Sequence, residues 1–398
     1  MKKRLSIGSC IVLILVFCIA TFLITVNVFK NQNNTELNEL YEKESFYDKL
    51  NDVYNQVSSN FINSTDEAEF EDAYLSAYID SLEDPYSIYL TADEMESYLA
   101  DNSGELVGIG VHVAYDNETE GIYITGVMQN SPALDAGIIA GDIIVKIEDI
   151  ELTSDTYYSA INSVRGKTGE SVDLVIKRGE QHINFSVVRT EIVNESVLYE
   201  KLDSEIAYIT ITEFDGNTFE QFKNALDKAS NDGCIKYIFD VRNNPGGDLG
   251  SIVSVLDLLL PEGTITEIVY KDGNITKKES DAACLNAPMV VLANGNTASA
   301  GELFTAALRD YNLATIVGTT TFGKGTMQTI TKLADGSGLK LSTAYYNPPK
   351  GENYNGIGIT PDVEVVMSDE LMARFYMLTN EEDIQLQKAI EIIKSDNN

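Results

Sequence analysis

Lys324 stands between two glycines in GTTTFGKG, residues Gly318 to Gly325, which is close to the phosphate-binding pattern GxxxxGK[ST]. That pattern needs a hydroxyl residue after the lysine to bind Mg²⁺, and a helix that begins there so that its free amides face the phosphates. Gly325 occupies the hydroxyl position, and the following TMQTITKLADGSGLKLSTAYY predicts strands and hairpins. The motif therefore argues against a nucleotide site. Lys324 is instead a candidate general base, because burial can lower the pKa of a lysine towards ~7 to 8.

Ser299 lies between a predicted buried strand, APMVVLAN, and a predicted helix, AGELFTAALRD. Free amides in the first turn of a helix can stabilise an oxyanion, so this position suits a nucleophile. SAGE, from Ser299 to Glu302, also fits a capping box, in which the hydroxyl only caps the helix. Gly246 and Gly247 follow another predicted strand, and they either present amides to the same oxyanion or simply turn the chain. On these residues alone both alternatives remain open.

The composition narrows the chemistry further. The chain has 28 basic and 62 acidic residues, a formal net charge of −34, and such a surface repels nucleic acid. Its only two histidines are His112 and His182. Both precede the region of predicted alternating strands and helices, which starts at about Glu191, so a Ser-His-Asp triad in that region would have no histidine of its own. No HExxH or CxxC pattern indicates zinc. We therefore expect a base other than histidine, with no metal and no cofactor.

The amino-terminal residues predict a membrane anchor. Leu5 to Phe29 is a run of 25 residues without a charge, and it follows Lys2, Lys3 and Arg4. This length can span a hydrocarbon core, with the basic end inside. An A-x-A-like cleavage site is missing before KNQNNTELNEL, so an uncleaved signal anchor is favoured over a cleaved signal peptide. The sequence thus predicts a single-pass protein of the cytoplasmic membrane whose remaining chain is extracytoplasmic.

Strands and helices alternate from about Glu191 onwards. IAYITITEF, IKYIFDV and ATIVGT are typical of strands, whereas FEQFKNALDKAS and LGSIVSVLDLLL are typical of helices. The alternation predicts βαβ crossovers and a mostly parallel sheet, with the chemistry at the carboxyl ends of its strands. Upstream, GELVGIGVHV, GIYITGVM, IIVKIEDI, SVDLVIKRG and INFSVVRT predict a compact β-rich module, and a small helical region precedes it.

In the order of its motifs the chain resembles the carboxyl-terminal processing peptidases, or tail-specific proteases, which are serine peptidases with a Ser-Lys catalytic pair and a PDZ domain. The resemblance covers nearly everything after residue 30. It rests on SLEDPYSIYLTADEM, GELVGIGVHV, SPALDAGIIAGDIIVKIEDI, VRGKTGESVDLVIKRG, DVRNNPGGDLG, NGNTASAGELFTAALRD, GTTTFGKGTMQ and GIGITPDVEV. The family usually has S-A-S-A-S-E around its nucleophile, and T-A-S-A-G-E here keeps the central serine.

This resemblance implies a role for each matching residue. Ser299 would be the nucleophile, Lys324 the base and Gln328 the group that orients the lysine. The oxyanion hole would consist of the Ala300 amide and that of Gly246 or Gly247. A loop in the PDZ domain would hold the carboxylate of the substrate, and it comprises Val107, Gly108, Ile109 and Gly110. Three further matching residues would support the structure, namely Glu302, Asp310 and Thr321.

The resemblance also implies a multidomain α/β architecture. It comprises the anchor (1–30), a helical region (31–102), the PDZ domain (103–190), a peptidase core similar to the ClpP/crotonase-like fold (191–370) and a C-terminal helix (371–398). The expected function is that of a membrane-anchored endopeptidase that forms an acyl-enzyme and acts on proteins or peptides with apolar C-termini. The family suggests a homodimer joined through the helical terminal regions, and a regulatory partner is left open. The alternative is a catalytically silent PDZ scaffold, which would need none of Ser299, Lys324 and Gln328.

Overall fold

The computed structural model describes residues 17, 21, 45–63, 67–103, 105–116, 121–128, 130–153 and 156–395. Residues up to Tyr74 and residues from Leu75 onwards form two compact units. Apart from residues 17 and 21, the apolar run predicted as an anchor, Leu5 to Phe29, lies outside the described residues. Within the described ranges, no helix combines the length and the apolar character that a membrane crossing requires.

The region predicted as helical contains helices and one short strand. Residues 45–60 form helix α1, and α2 (Glu67–Asp80) and α3 (Ala92–Ser103) follow. A capping interaction starts α3, because the Thr91 amide donates to the Glu94 carboxylate at 2.9 Å. Between α2 and α3 lies strand β1 (Ile88–Leu90), which the sequence analysis did not predict. Three residues are too few for a period of two to be recognised, and this strand depends on its partner for its backbone hydrogen bonds.

The β-rich module is formed as predicted. Strands β2 (Glu105–Gly108) and β9 (Thr190–Val193) pair with each other. The main antiparallel sheet has the order β3-β4-β5-β7-β8, and β6 pairs with β5. Its strands are β3 (Val111–Asp116), β4 (Gly121–Val127), β5 (Ile143–Ile147), β6 (Ile150–Glu151), β7 (Ser171–Arg178) and β8 (Gln181–Val188). Helices α4 (Pro132–Ala136) and α5 (Tyr157–Val164) complete the module. Its core is built from the apolar residues that alternate along these strands, such as Ile122, Ile124, Ile144, Leu174 and Ile176.

The second half of the chain contains the predicted parallel sheet, with the order β10-β11-β12-β15-β16-β19. Strand β10 is antiparallel to β11, and the other pairs are parallel. The strands are β10 (Val197–Lys201), β11 (Ile206–Ile211), β12 (Lys236–Asp240), β15 (Met289–Ala293), β16 (Ala314–Gly318) and β19 (Val363–Glu364). The connecting helices are α6 (Thr218–Asn231), α7 (Leu249–Asp257) and α8 (Ala300–Asp310).

Both faces of this sheet are covered, which explains why every residue of β15 is buried. Phe239 and Val291 point to the face packed by α6, α7 and α8. Ile238 and Val290, one residue earlier in each strand, point to the opposite face, where α10 (Ile384–Ser395) packs. One C-terminal helix was predicted for residues 371–398. The described part of this region instead forms α9 (Asp369–Ala373), a 3₁₀ turn at Phe375–Met377 and α10.

A second sheet is antiparallel and has the strand order β1-β18-β13-β14, and β17 also pairs with β18. Its strands are β13 (Gly263–Tyr270), β14 (Ile275–Ser280), β17 (Thr326–Lys332) and β18 (Gly338–Asn347). Strands β17 and β18 form the hairpin expected after Lys324, in place of the helix that a phosphate-binding loop would need. The position of β1 is explained by this sheet, because β1 pairs with residues 338–340 of β18.

Candidate active site

Three loops meet at the carboxyl edge of the parallel sheet. The glycine pair follows β12, Ser299 follows β15 and Lys324 follows β16, and these three strands are adjacent and parallel. Their loops must therefore emerge at the same edge of the sheet. The loops enclose a cavity of about 390 Å³. Its lining includes all six residues predicted for catalysis and the oxyanion hole, namely Ser299, Lys324, Gln328, Ala300, Gly246 and Gly247.

Ser299 has a strained backbone. Its φ of 54° and ψ of −117° place a residue with a side chain in a region that glycine usually occupies. Such conformations persist only where the surroundings hold them. The carboxylate arm of the predicted capping box is present, as a 2.9 Å hydrogen bond from the Ser299 amide to Glu302 Oε2. The two interpretations of SAGE are thus compatible, because the serine begins α8 and also lines the cavity.

The carboxylate of Glu302 joins the loop of Ser299 to the loop of Lys324. Glu302 is fully buried and accepts four hydrogen bonds. Oε2 accepts the amides of Ser299 (2.9 Å) and Lys324 (2.7 Å). Oε1 accepts the Thr321 hydroxyl (2.6 Å) and the Gly323 amide (2.7 Å). The sequence indicated Glu302 only as a cap and a supporting residue, because these contacts come from a loop about twenty positions away.

Lys324 is partly buried, and burial lowers its pKa from 10.5 to about 8. The positive charge of Lys340 acts in the same direction, whereas the carboxylates of Asp84 and Glu302 oppose the shift. A lysine with such a pKa carries a substantial neutral fraction near pH 8, so it can accept a proton there.

The ammonium nitrogen of Lys324 lies over the ring of Tyr86, 4.4 Å from its centroid. The aromatic face attracts the charged form of the lysine. Within the described part of the chain, no hydrogen bond joins Lys324 Nζ to Ser299 Oγ. Tyr86 precedes β1, and the Ser342 amide of β18 donates to Ser87 at 3.0 Å, so this segment is attached to the core sheet. Tyr86 could not be identified from the sequence, since its position over the lysine depends on that pairing.

The two glycines differ in what their amides contact. The Gly246 amide donates to Asn244 Oδ1 at 2.8 Å. For the amides of Gly247 and Ala300, the described residues provide no hydrogen-bond acceptor. Gly246 also lies very close to the serine, because a Cβ added there would be 2.6 Å from Ser299 Cβ. Of the pair, Gly247 is therefore the glycine whose amide can donate to a bound group.

Gln328 lines the same cavity from strand β17. Its Nε2 donates to Thr326 Oγ1 at 3.1 Å and to Ser342 Oγ at 3.0 Å. Over the residues that the structure describes, the contacts of Gln328 include no hydrogen bond to Lys324. The orientation of its carboxamide is thus set by Thr326 and Ser342.

Tyr346, in strand β18, is a residue of the site that the sequence analysis missed. Its hydroxyl lies 3.1 Å from Ser299 Oγ and 2.8 Å from the carbonyl oxygen of Lys324. Alternation along β18 accounts for a buried Tyr346 beside an exposed Tyr345. It does not indicate which hydroxyl on another loop the tyrosine will meet.

The loop predicted to bind a peptide carboxylate lines a separate cavity of about 140 Å³ in the β-rich module. The lining is apolar apart from Arg165, and it includes Val111 and Val113 of β3 and Ile161 of α5. The predicted residues Val107, Gly108, Ile109 and Gly110 all contribute to it. Among the described strands, β3 lies at one end of its sheet, so its outer edge faces this groove.

Several known proteins are similar to this chain over most of its length. It is 33% identical over 350 residues to a Staphylococcus aureus (strain COL) protein named "Probable CtpA-like serine protease". This alignment covers 87% of this chain and 70% of the relative. The protein of the same name from Staphylococcus haemolyticus (strain JCSC1435) is 35% identical over 321 residues, or 80% of this chain and 64% of the relative. The solved photosystem II D1 C-terminal processing protease superposes with a TM-score of 0.52 and 26% identity, covering 78% of this chain and 85% of that one.

Two stretches of the chain match family profiles. Residues 97–177 match the PDZ domain, and residues 205–365 match peptidase family S41. The fold and these matches define a serine peptidase that carries a PDZ domain. The chain belongs to peptidase family S41. The resemblance to the carboxyl-terminal processing peptidases, predicted from the motifs, is confirmed.

Proposed function

We propose that this peptidase is a membrane-anchored endopeptidase that acts outside the cytoplasmic membrane, binds apolar protein C-termini through its PDZ domain, and cleaves with Ser299 and Lys324. One observation carries the proposal. Ser299 and Lys324, a strained serine and a lysine of lowered pKa, line one cavity together with the unengaged amides of Gly247 and Ala300. This set of groups is what acyl transfer requires.

In the proposed reaction, neutral Lys324 accepts the proton of Ser299 as Oγ attacks the peptide carbonyl. The lysine then gives that proton to the leaving amine, and water hydrolyses the acyl-enzyme. Nζ lies over the ring of Tyr86 and must come within hydrogen-bond distance of Oγ to accept this proton. Because the ring attracts the ammonium form, loss of the lysine proton weakens the contact between Nζ and the ring.

The surrounding groups support two further roles. The amides of Gly247 and Ala300 would donate to the oxyanion, and Gly246 is less suited because its amide is already engaged by Asn244. Gln328 would orient Lys324 through its carboxamide oxygen. Its Nε2 donates to Thr326 and Ser342, so Oε1 is the atom that remains to accept from Nζ.

The PDZ domain would bind its peptide by strand addition along β3, with the C-terminal carboxylate on the backbone amides of the loop from Val107 to Gly110. Apolar side chains of the peptide would enter the groove between β3 and α5. The apolar lining of that cavity supports this selectivity. The likeness to a C-terminal processing protease supports cleavage of protein tails as the reaction of this chain.

Membrane attachment rests on the sequence, through the length of the run from Leu5 to Phe29 and the basic residues before it. The extracytoplasmic position of the catalytic part follows from the same orientation. A ClpP/crotonase-like likeness of the core, a homodimer through the helical terminal regions and a regulatory partner complete the proposal, and each rests on the family resemblance. The expected substrates are proteins or peptides.

A cleavage assay tests this function. The full chain in detergent is incubated with a denatured protein that ends in an apolar tail, and with the same protein ending in a charged tail. We expect cleavage of the apolar-tailed protein by the wild type, and loss of cleavage in Ser299→Ala and Lys324→Ala that keep their circular dichroism spectra. If all three bind the tail and none cleaves it, a PDZ scaffold is the better explanation.

A further inference from the structure

The hydroxyl of Tyr346 contacts both loops that carry the proposed reacting residues. It lies 3.1 Å from Ser299 Oγ and 2.8 Å from the carbonyl oxygen of Lys324. Tyr346 is only 4% exposed, and its ring packs edge-on against Tyr354 with 5.9 Å between centroids. Its amide also donates to the Gly325 carbonyl at 3.2 Å. The hydroxyl is therefore held in place from both its ring and its backbone.

The single proton of the Tyr346 hydroxyl limits which of the two oxygens it can donate to. A phenol carries one proton, so Tyr346 can donate to Ser299 Oγ or to the Lys324 carbonyl, but not to both at once. While its proton lies on the carbonyl, which can only accept, the Ser299 hydroxyl can donate to Tyr346. Once Oγ has lost its own proton it can only accept, and the phenol proton can turn to it. Burial raises the pKa of Tyr346 above its ordinary value of 10.0, so the phenol stays protonated at neutral pH.

We propose that Tyr346 is a further catalytic residue, whose hydroxyl positions Ser299 Oγ for attack and donates a hydrogen bond to that oxygen as its negative charge develops. This role rests on the proposed function of Ser299 as the nucleophile. In the step concerned, the Ser299 O–H bond breaks and its proton goes to Lys324 Nζ. Oγ bonds the substrate carbonyl carbon while the C=O π bond breaks and its electron pair moves to the carbonyl oxygen. Tyr346 keeps its proton and only changes the acceptor of its hydrogen bond.

Tyr354 offers a matched control. It is a second buried tyrosine at the same serine, and its hydroxyl lies 3.4 Å from the Ser299 backbone carbonyl. That hydroxyl also interacts with the hydroxyl of Tyr346, and among the described hydrogen bonds it makes none to Oγ. Tyr346→Phe and Tyr354→Phe each remove one buried oxygen and keep the edge-on contact of the two rings. A general effect of losing a buried hydroxyl would appear in both variants, whereas the direct hydrogen bond to Oγ is lost only in Tyr346→Phe.

The test measures how fast Ser299 reacts. A fluorophosphonate probe forms an Oγ–P bond and releases fluoride. Its labelling rate therefore measures the reactivity of Ser299 Oγ independently of peptide binding by the PDZ domain. For the full chain we expect Tyr346→Phe to lower both the labelling rate and kcat by about 10- to 100-fold, the usual effect of losing one donor to a charged oxygen. KM should be unchanged. Tyr354→Phe should remain within about threefold of the wild type.

The outcomes separate this role from the proposed function. If Tyr346→Phe labels at the wild-type rate while Ser299→Ala does not label, the role of Tyr346 is wrong and the nucleophile stands. If the folded wild type neither labels nor cleaves, the proposed function fails, and the role of Tyr346 fails with it. Should Tyr346→Phe melt far below the wild type, 3-fluorotyrosine at position 346 replaces it. Its more acidic proton should speed labelling, and an unchanged rate would overturn the role.

Discussion

The backbone amide of Lys324 donates a hydrogen bond to Oε2 of Glu302 at 2.7 Å. The same oxygen accepts the amide of Ser299, so one buried carboxylate sets the spacing between the backbones of the proposed nucleophile and base. The two reacting side chains share no hydrogen bond within the described residues. Their alignment thus depends on backbone groups that remain in place when either side chain moves.

Replacing Glu302 by glutamine should be costly although the two side chains have the same shape. Both carboxylate oxygens accept from donors, so the amide NH₂ would face other donors at whichever end it occupied. We expect Glu302→Gln to lower the free energy of unfolding by about 1 to 3 kcal/mol and to lower kcat at least tenfold. Urea denaturation and a peptide cleavage assay measure the two effects. Glu262→Gln, at an exposed position in the peptidase part of the chain, is the control. Equal stability and equal kcat in the two variants would contradict the prediction.

Gly246→Ala should abolish activity by displacing the serine. The added Cβ would lie 2.6 Å from Ser299 Cβ and 2.9 Å from the Ala300 amide nitrogen. Gly273→Ala is a matched control, because Gly273 also has a positive φ but an added Cβ there meets no atom within 4 Å. Both variants should lose about 1 kcal/mol or more of stability from the strained backbone. Only Gly246→Ala should lose fluorophosphonate labelling, and retention of the wild-type labelling rate in that variant would count against the close approach.

The rate of cleavage should rise with pH through about 8, the pKa to which burial lowers Lys324, because only the neutral amine accepts a proton. Tyr86→Leu removes the aromatic face that stabilises the ammonium form. The midpoint of the acidic limb of kcat/KM should therefore move down by about 0.5 to 1 pH unit. Tyr86→Phe keeps the face and should keep the midpoint. A midpoint that stays in place or moves up in Tyr86→Leu would show that the ring does not stabilise the charge.

Lys324→Met should make the fold more stable at pH 7, while abolishing cleavage. The folded-state pKa of about 8 lies below the ordinary 10.5, so between these values the unfolded chain binds more protons than the folded one. The cost of burying the charge is thus complete below pH 8 and is relieved as the pH rises towards 10.5. We expect a gain of about 1 to 3 kcal/mol at pH 7, which shrinks on approach to pH 10.5.

Urea denaturation at pH 7 and pH 10 measures this change. The exposed Lys271→Met accounts for the general effect of removing a positive charge from an acidic protein. If Lys324→Met is less stable than Lys271→Met at pH 7, the lysine contributes more through its contacts than its burial costs, and the prediction is wrong.

The sequence by itself determined the strands and helices of the β-rich module and of the parallel sheet, but not strand β1. Buried apolar runs such as MVVLA, flanked by amphipathic helices, required a sheet covered on both faces, and such a sheet places its loops at one edge. The motifs indicated Ser299 and Lys324 together with the glycine pair. These predictions were accessible because periodicity and turn residues act over a few positions of the chain.

The tertiary structure alone decided how those residues are held. It engaged the Gly246 amide with Asn244, and it brought Tyr86, from the turn before β1, over the lysine and Tyr346, from β18, to the serine. The physical reason is that a polar contact requires atoms within about 3 Å in a fixed direction. Local sequence specifies which face of a strand is buried, whereas that distance is set only when distant elements pack together.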